Sequence, residues 1–218
     1  MIKTYLQATT FLLSIFFSSL LIAGEQGNVP VNTAFSGPYL GGTIGWGSNK
    51  NTITGTFLGA PIDCCLGTEG INGGIFGGYG WLVSSSNFYL GIELAALADD
   101  LNETAIITGR KSFSLDKSDS LQATGRAGLR FLNALPFIRL GLDNSRWRGS
   151  VFTVESHERL NGFLAGVGVD VIVHPHVFFG VEYDHTVFDN FIVTESLINS
   201  LNFKPKHSTG RLRLAYIA

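Results

Sequence analysis

Cysteine, proline, charge and long apolar runs are all scarce in this 218-residue chain. The two cysteines, Cys64 and Cys65, are neighbours. Disulfides prefer a wider Cα separation, so a bridge between them would be strained. Intermolecular pairing and free thiols stay equally open. No cysteine stands directly after the cleavage region of the leader described below, which argues against a lipoprotein anchor. The 6 prolines leave long stretches free of the residue that interrupts strand ladders. Charged residues are only 15% of the chain, with a formal net charge of −2. Without Lys3 the count is 14 basic against 17 acidic residues, which gives no electrostatic case for nucleic acid. Past the first 24 residues no run of about 18 apolar residues occurs, so no helix is expected to span a membrane.

What is present is a leader and a strand alphabet. Residues 1–24 read as a secretory signal. Lys3 supplies the positive start, residues 11–22 the apolar stretch, and Ala23 and Gly24 a small-residue cleavage point. Residues 25–36 read as a short periplasmic lead-in, and residues 37–218 as the folded domain. Glycine is abundant at 27 residues and aromatics make up 12%.

Residues 162–185 carry the clearest pattern. Phe163, Ala165, Val167, Val169 and Val171 alternate with Leu164, Gly166, Gly168 and Asp170. After a turn around His174, Pro175 and His176, the residues Phe179, Val181 and Tyr183 alternate with Gly180, Glu182 and Asp184. A period of two means strands. The second face, mainly glycine with a few acids, is too thin for an ordinary solvent face. The arms approach the ~9–11 residues that cross a bilayer at a tilt. Apolar residues facing lipid, with glycine and charge facing a narrow lumen, account for both features.

The same alternation predicts eight strands, near residues 38–48, 71–82, 88–97, 120–131, 137–145, the two arms of the hairpin, and 208–218. Connections after the second, fourth and sixth strands are short. Those near residues 49–69, 98–117, 145–160 and 186–206 are read as long polar loops. The expected fold is all-β: an eight-stranded antiparallel transmembrane β-barrel in an up-and-down meander, with both termini at the short-turn, periplasmic end. Trp46, Tyr79, Trp81, Phe131, Tyr183 and Tyr216 are expected in aromatic girdles at the membrane interfaces.

The inward positions hold Arg126, Arg130, Arg139, Arg211 and Arg213 against Glu93, Asp143, Asp170, Glu182 and Asp184. An eight-stranded barrel is only just wide enough inside for side chains. Isolated buried ions cost several kcal/mol, so near-equal numbers predict a structural salt-bridge network that plugs the lumen. A charged conduction path is the functional alternative.

Several segments resemble the small outer-membrane β-barrel family of opacity-type and porin-like surface antigens. Phe35-Ser36-Gly37-Pro38-Tyr39-Leu40-Gly41 is similar to its opening strand, and Gly74-Ile75-Phe76-Gly77-Gly78-Tyr79 to its second. Leu90-Gly91-Ile92-Glu93 resembles its third, and Thr124-Gly125-Arg126-Ala127-Gly128-Leu129 its arginine-bearing fourth. The run from Gly162 to Asp170 and Val181-Glu182-Tyr183 resemble its last hairpin. The resemblance implies an integral outer-membrane protein, often surface-exposed and antigenic, with some members serving adhesion or envelope integrity. Such barrels usually end in an aromatic residue. Here Leu212, Leu214 and Tyr216 keep the alternation, but the last residue is Ala218.

No catalytic, cofactor or metal site is expected. His207–Ser208 and Ser156–His157 are adjacent pairs, and neighbours on a strand point to opposite faces. Asp184–His185 is a faint likeness to omptin proteases, which need further acids. His174 and His176 offer two metal ligands without a third. No phosphate loop or nucleotide fingerprint appears. The expected partners are outer-membrane lipids and lipopolysaccharide, the barrel-assembly machinery, and a host or other surface ligand at the loops. A narrow porin-like channel for small or hydrophobic solutes is the rival function, and lipid modification a third.

Overall fold

The computed structural model describes residues 35–57, 60–83, 87–107, 110–151, 154–195 and 198–218. The signal and most of the lead-in, residues 1–34, lie outside them. The strands are β1 (Gly37–Phe57), β2 (Ala60–Leu82), β3 (Phe88–Ile107), β4 (Arg110–Leu129), β5 (Ala134–Val151), β6 (Val154–His174), β7 (Val177–Phe188), β8 (Phe191–Glu195) and β9 (Ile198–Ile217). Every pairing is antiparallel, and β1 pairs with β9 to close the sheet into a cylinder. Both β7 and β8 pair with the same edge of β9, from Val187↔Lys206 on to Phe191↔Phe203. They are two segments of one barrel strand, broken at Asp189 and Asn190, so the barrel has eight strands.

Alternation explains the sidedness. On β3, Ile92 and Leu94 lie on the outer surface while Glu93 and Ala95 are buried. On β5, Ile138, Leu140 and Leu142 are exposed while Phe137, Arg139 and Asp143 are buried. Leu40 is 67% exposed and Leu94 68%, values that water would penalise and hydrocarbon does not.

The long polar loops are a correction. Residues 49–57, 60–69, 98–107, 110–117, 145–151 and 154–160 continue the strands, and in the fourth expected loop residues 186–188, 191–195 and 198–206 are strand as well. Most strands reach 18 to 23 residues, about twice what a bilayer needs. The physical reason lies on the outer face. Along β5 it changes from Leu142 to Asn144, Arg146 and Arg148, so apolar alternation stops although the ladder continues to Val151. The lower half of each hairpin therefore carries the apolar band, and the upper half rises beyond it with a polar wall.

At the lower end the chain reverses in short connections at Arg130–Asn133 and Pro175–His176, and the Val83 amide donates to the Phe88 carbonyl where β2 ends and β3 begins. Phe35 and Ser36, read as lead-in, belong to this base. Phe35 is buried against Phe178, and the Leu82 amide donates to Ser36 Oγ at 3.2 Å.

Candidate functional site

Above the base sits an aromatic layer. Tyr39, Phe76 and Phe178 meet with ring centroids 5.7–6.5 Å apart. Arg126 lies 3.8 Å over the Phe137 ring, and Arg213 lies 4.2 Å over Phe76. Such stacking suits guanidinium groups, which are weakly hydrated and planar.

The ionic layer follows directly. Glu182, on β7, receives three arginines. Arg139 Nη1 and Arg213 Nη1 approach its Oε2 at 2.7 and 2.5 Å, and Arg211 Nε approaches Oε1 at 2.9 Å. Arg213 Nη2 also reaches Glu93 Oε2 at 2.5 Å, and Arg126 Nη2 reaches Asp170 Oδ2 at 2.5 Å. Arg211 pairs with Asp184, which lies 3.5 Å from Arg139 Nη1. The Tyr39 hydroxyl donates to Glu93 at 3.1 Å. Gln122 donates to Asp143 at 2.8 Å, and Ser145 donates to the same carboxylate at 2.5 Å. The side chains of the four arginines are 1% exposed. Four guanidinium groups from β4, β5 and β9 thus interlock inside the barrel with acids from β3, β6 and β7.

Room for them comes from glycine. A Cβ at Gly166 would strike the Asp184 carboxylate, and one at Gly180 would strike Asp170. Both glycines lie opposite those residues on β6 and β7. A methyl group at either position would push an acid out of its pairing.

Nine of the ten inward charges read from the sequence meet in or beside this layer. Arg130 does not. It follows the last residue of β4, Leu129, so alternation no longer sets its direction. Its Nη2 lies 3.4 Å from Asn87 Oδ1 at the lower rim.

The upper lumen holds residues that the sequence reading assigned to loops. Lys117 Nζ pairs with Asp99 Oδ2 at 2.9 Å, each side chain 1% exposed. Trp147 meets Phe188 edge-on at 5.3 Å, with Lys117 over the same Phe188 ring. His207 Nδ1 donates to Asn49 Oδ1 at 2.7 Å, and Asn72 donates to Thr209 at 2.7 Å. Burial pushes the His207 imidazole down to about 2, and the Lys117 charge acts in the same direction. Register held the signal for these residues. Trp147 lies four positions beyond Asp143, on the same face of β5.

The other candidates separate. His207 is buried inward while Ser208 lies on the outer face, 2.9 Å from His185 Nδ1. His176 stacks on Tyr216, and its Nδ1 lies 3.1 Å from the Ile217 carbonyl. Cys64 and Cys65 sit on β2 opposite Ile53 and Thr52, and their side chains lie outside the described ones. Among the described residues no group of three metal-ligating side chains occurs.

A closed barrel with an apolar outer belt and an ionic interior defines a membrane-spanning β-barrel protein. The chain belongs to the outer-membrane protein beta-barrel domain family, whose model matches residues 10–206. It is a protein of the bacterial outer membrane. Among solved structures it is similar to the outer membrane protein OprG from Pseudomonas aeruginosa. That likeness has 12% identity and a TM-score of 0.59, covering 85% of this chain and 98% of that one. It is also similar to Ail, the attachment invasion locus protein of Yersinia pestis. There the identity is 13% and the TM-score 0.44, covering 83% and 98% of the two chains. Neisserial surface protein A matches at 14% identity and a TM-score of 0.43, over 79% and 95%. No curated protein matches this chain.

Proposed function

We propose that the barrel is a closed scaffold that presents its four upper hairpins at the cell surface, for envelope integrity, adhesion or other surface contacts, and does not conduct. The observation that carries this reading is the ionic layer. Glu182 pairs with Arg139, Arg211 and Arg213, and Asp170 with Arg126, inside the barrel next to the aromatic layer, which supports a blocked lumen. An ion entering would have to displace paired charges that have no access to bulk water. On this reading the ten inward charges named from the sequence, less Arg130, are structural, and the protein works by display, not turnover. Residues 1–24 are removed on export, and the barrel-assembly machinery inserts the rest into a leaflet of lipopolysaccharide and lipid.

The rival reading is a narrow channel for small or hydrophobic solutes. One observation favours it. Asn49 Nδ2, Asn72 Oδ1 and Trp147 Nε1 are buried in the upper lumen without a protein hydrogen-bond partner, as in a hydrated vestibule. Planar-bilayer recordings of refolded protein separate the two. The scaffold reading expects no steady conductance, and stable channels whose selectivity changes in Arg126→Glu or Glu182→Lys would replace it with the channel.

A further inference from the structure

Over most of its height the wall between the sixth and seventh strands is closed by a ladder that runs from His174↔Val177 up to Gly162↔Phe188. Its last rung is the Asp189 amide donating to the Asn161 carbonyl at 2.8 Å. Above that rung the two strands part. β8 pairs only with β9, and among the described residues no strand pairs with residues 154–160 of β6 on the side away from β5. A bulge explains the parting. From Val187↔Lys206 to Phe191↔Phe203 the seventh strand advances from 187 to 191 while β9 advances only from 206 to 203, one residue fewer. An extra residue bends its strand and sharpens the twist. Asp189 and Asn190 are the point where this strand leaves β6.

An open edge is a template for one more strand. Successive residues of a strand turn their N–H and C=O groups to alternate sides. The Asn161 carbonyl faces β7, so the Arg159 N–H and C=O face the open side, while those of Leu160 and Glu158 face β5. Outward side chains along this edge are held back over the neighbouring strands. Arg159 donates to Asn144 Oδ1 on β5 at 2.7 Å and to Asp119 Oδ2 on β4 at 3.1 Å. Asn161 Oδ1 accepts from Asn144 at 2.8 Å, and Arg148 Nε on β5 lies 3.4 Å from His157 Nδ1. No proline blunts residues 154–161. The edge also starts above Phe163, which is exposed in the apolar band, and His157, Glu158 and Arg159 are exposed beyond it. It therefore stands in water and not in hydrocarbon.

We propose that the upper edge of β6 is a docking site for an extended peptide segment of another protein, which adds as a strand in the place a continued β7 would take. The inference rests on the upper hairpins being presented at the cell surface, and it names the surface and the kind of partner. Direction and register follow from the last rung. The added strand runs antiparallel to β6, with successive residues opposite Leu160, Arg159 and Glu158. Leu160 is buried on the inner face, Arg159 lies on the outer face, and Glu158 returns to the inner side as the cross-strand neighbour of Trp147. Cross-strand pairing then selects an apolar residue, an acid and a base in that order. A second copy of this chain fits less well. Two copies upright in one membrane bring this edge of each together running the same way, whereas every ladder of the barrel is antiparallel.

The test uses the refolded full chain in micelles and a blocked synthetic peptide, Thr-Val-Glu-Lys-Thr-Val, with a copy N-methylated at the residues that would face β6. Amide hydrogen exchange at Arg159 should be fast in the protein alone and slow about tenfold or more at saturating peptide. The N-methylated copy should have no effect. Fluorescence anisotropy of labelled peptide should show affinity kept in Arg159→Gln, which retains the main-chain donor. It should fall about tenfold in Arg159→Pro, which removes that donor on the open side only and leaves the rungs to β5 in place. Heat-modified gel mobility of each variant reports that the barrel has formed. Slow exchange at Arg159 without peptide would mean that β8 or a second copy already closes the edge, and would overturn the site. Unchanged exchange with peptide, or equal protection by the N-methylated copy, would overturn strand addition. Neither result bears on conductance, which decides the closed-scaffold reading separately.

Discussion

Along β5 the outward residues run Ile138, Leu140, Leu142 and then Asn144, Arg146, Arg148, while the inward ones run Phe137, Arg139, Gly141, Asp143 and then Ser145 and Trp147. The lower half is apolar outside and ionic inside. The upper half is charged outside and carries a tryptophan inside. One ladder thus serves two solvents, and the outer face changes from apolar to polar where the solvent changes. The difference shows what each half relies on. Below, hydrocarbon accepts the outer face and paired ions fill the interior. Above, water accepts the outer face, and stability depends on a small packed interior around Trp147, Phe188 and the Lys117–Asp99 pair.

The sharpest way to break the comparison is to remove one acid from each half. Glu182→Gln leaves Arg139, Arg211 and Arg213 buried without their shared partner. It should cost about 3–5 kcal/mol in urea unfolding of the refolded barrel. Asp119→Asn, at the exposed Arg146 and Arg159 pairs, should cost under ~1 kcal/mol. Equal losses would mean that the ionic layer carries no special weight.

Next comes the outer face. Leu140→Arg places a charge in the apolar band and should cost about 2–4 kcal/mol. Arg148→Leu, eight residues higher on the same face, should stay within about 0.5 kcal/mol. Folding yield into vesicles and denaturant midpoints would register both.

The smallest effect is acid sensitivity confined to the upper half. Free histidine titrates near 6.5, while native His207 is held down to about 2 by burial and by Lys117. Above pH ~6.5 both folded and unfolded forms are neutral there, so the group adds no pH dependence. Between about 6.5 and 2 the unfolded form takes a proton that the native form refuses. Stability of the upper half should then fall as the pH drops through this window. Lys117 and Asn49 face it inside the barrel, and His185 acts on it from the outer face. Hydrogen exchange at residues 205–209 should rise as pH drops through this window, after correction for intrinsic rates, and His207→Gln should flatten the response. An unchanged slope in the variant would mean that another group is responsible.

How much of this was legible in the sequence follows from the same contrast. In residues 162–185 the outer face is apolar and the inner face is glycine and acid, so period two stands out. The lower turns and the inward direction of Arg126, Arg139, Arg211 and Arg213 followed from it. Where Asn144, Arg146 and Arg148 meet water outside and Ser145 and Trp147 pack inside, both faces are mixed. Continuous strand there reads as polar loop, and Lys117–Asp99 stayed invisible for that reason. Arg130 failed in the opposite way: alternation was extended past the end of β4 at Leu129. Which arginine meets which acid depended on cross-strand register around the barrel, and sequence spacing does not contain it.

Spin labels at Leu140 and Arg148, in a background with Cys64 and Cys65 replaced by serine, test the central claim most directly. In vesicles the label at 140 should relax with lipid-soluble oxygen and ignore aqueous nickel chelate, and the label at 148 should do the reverse. Nickel access at both positions would place the lower barrel in water and contradict the account.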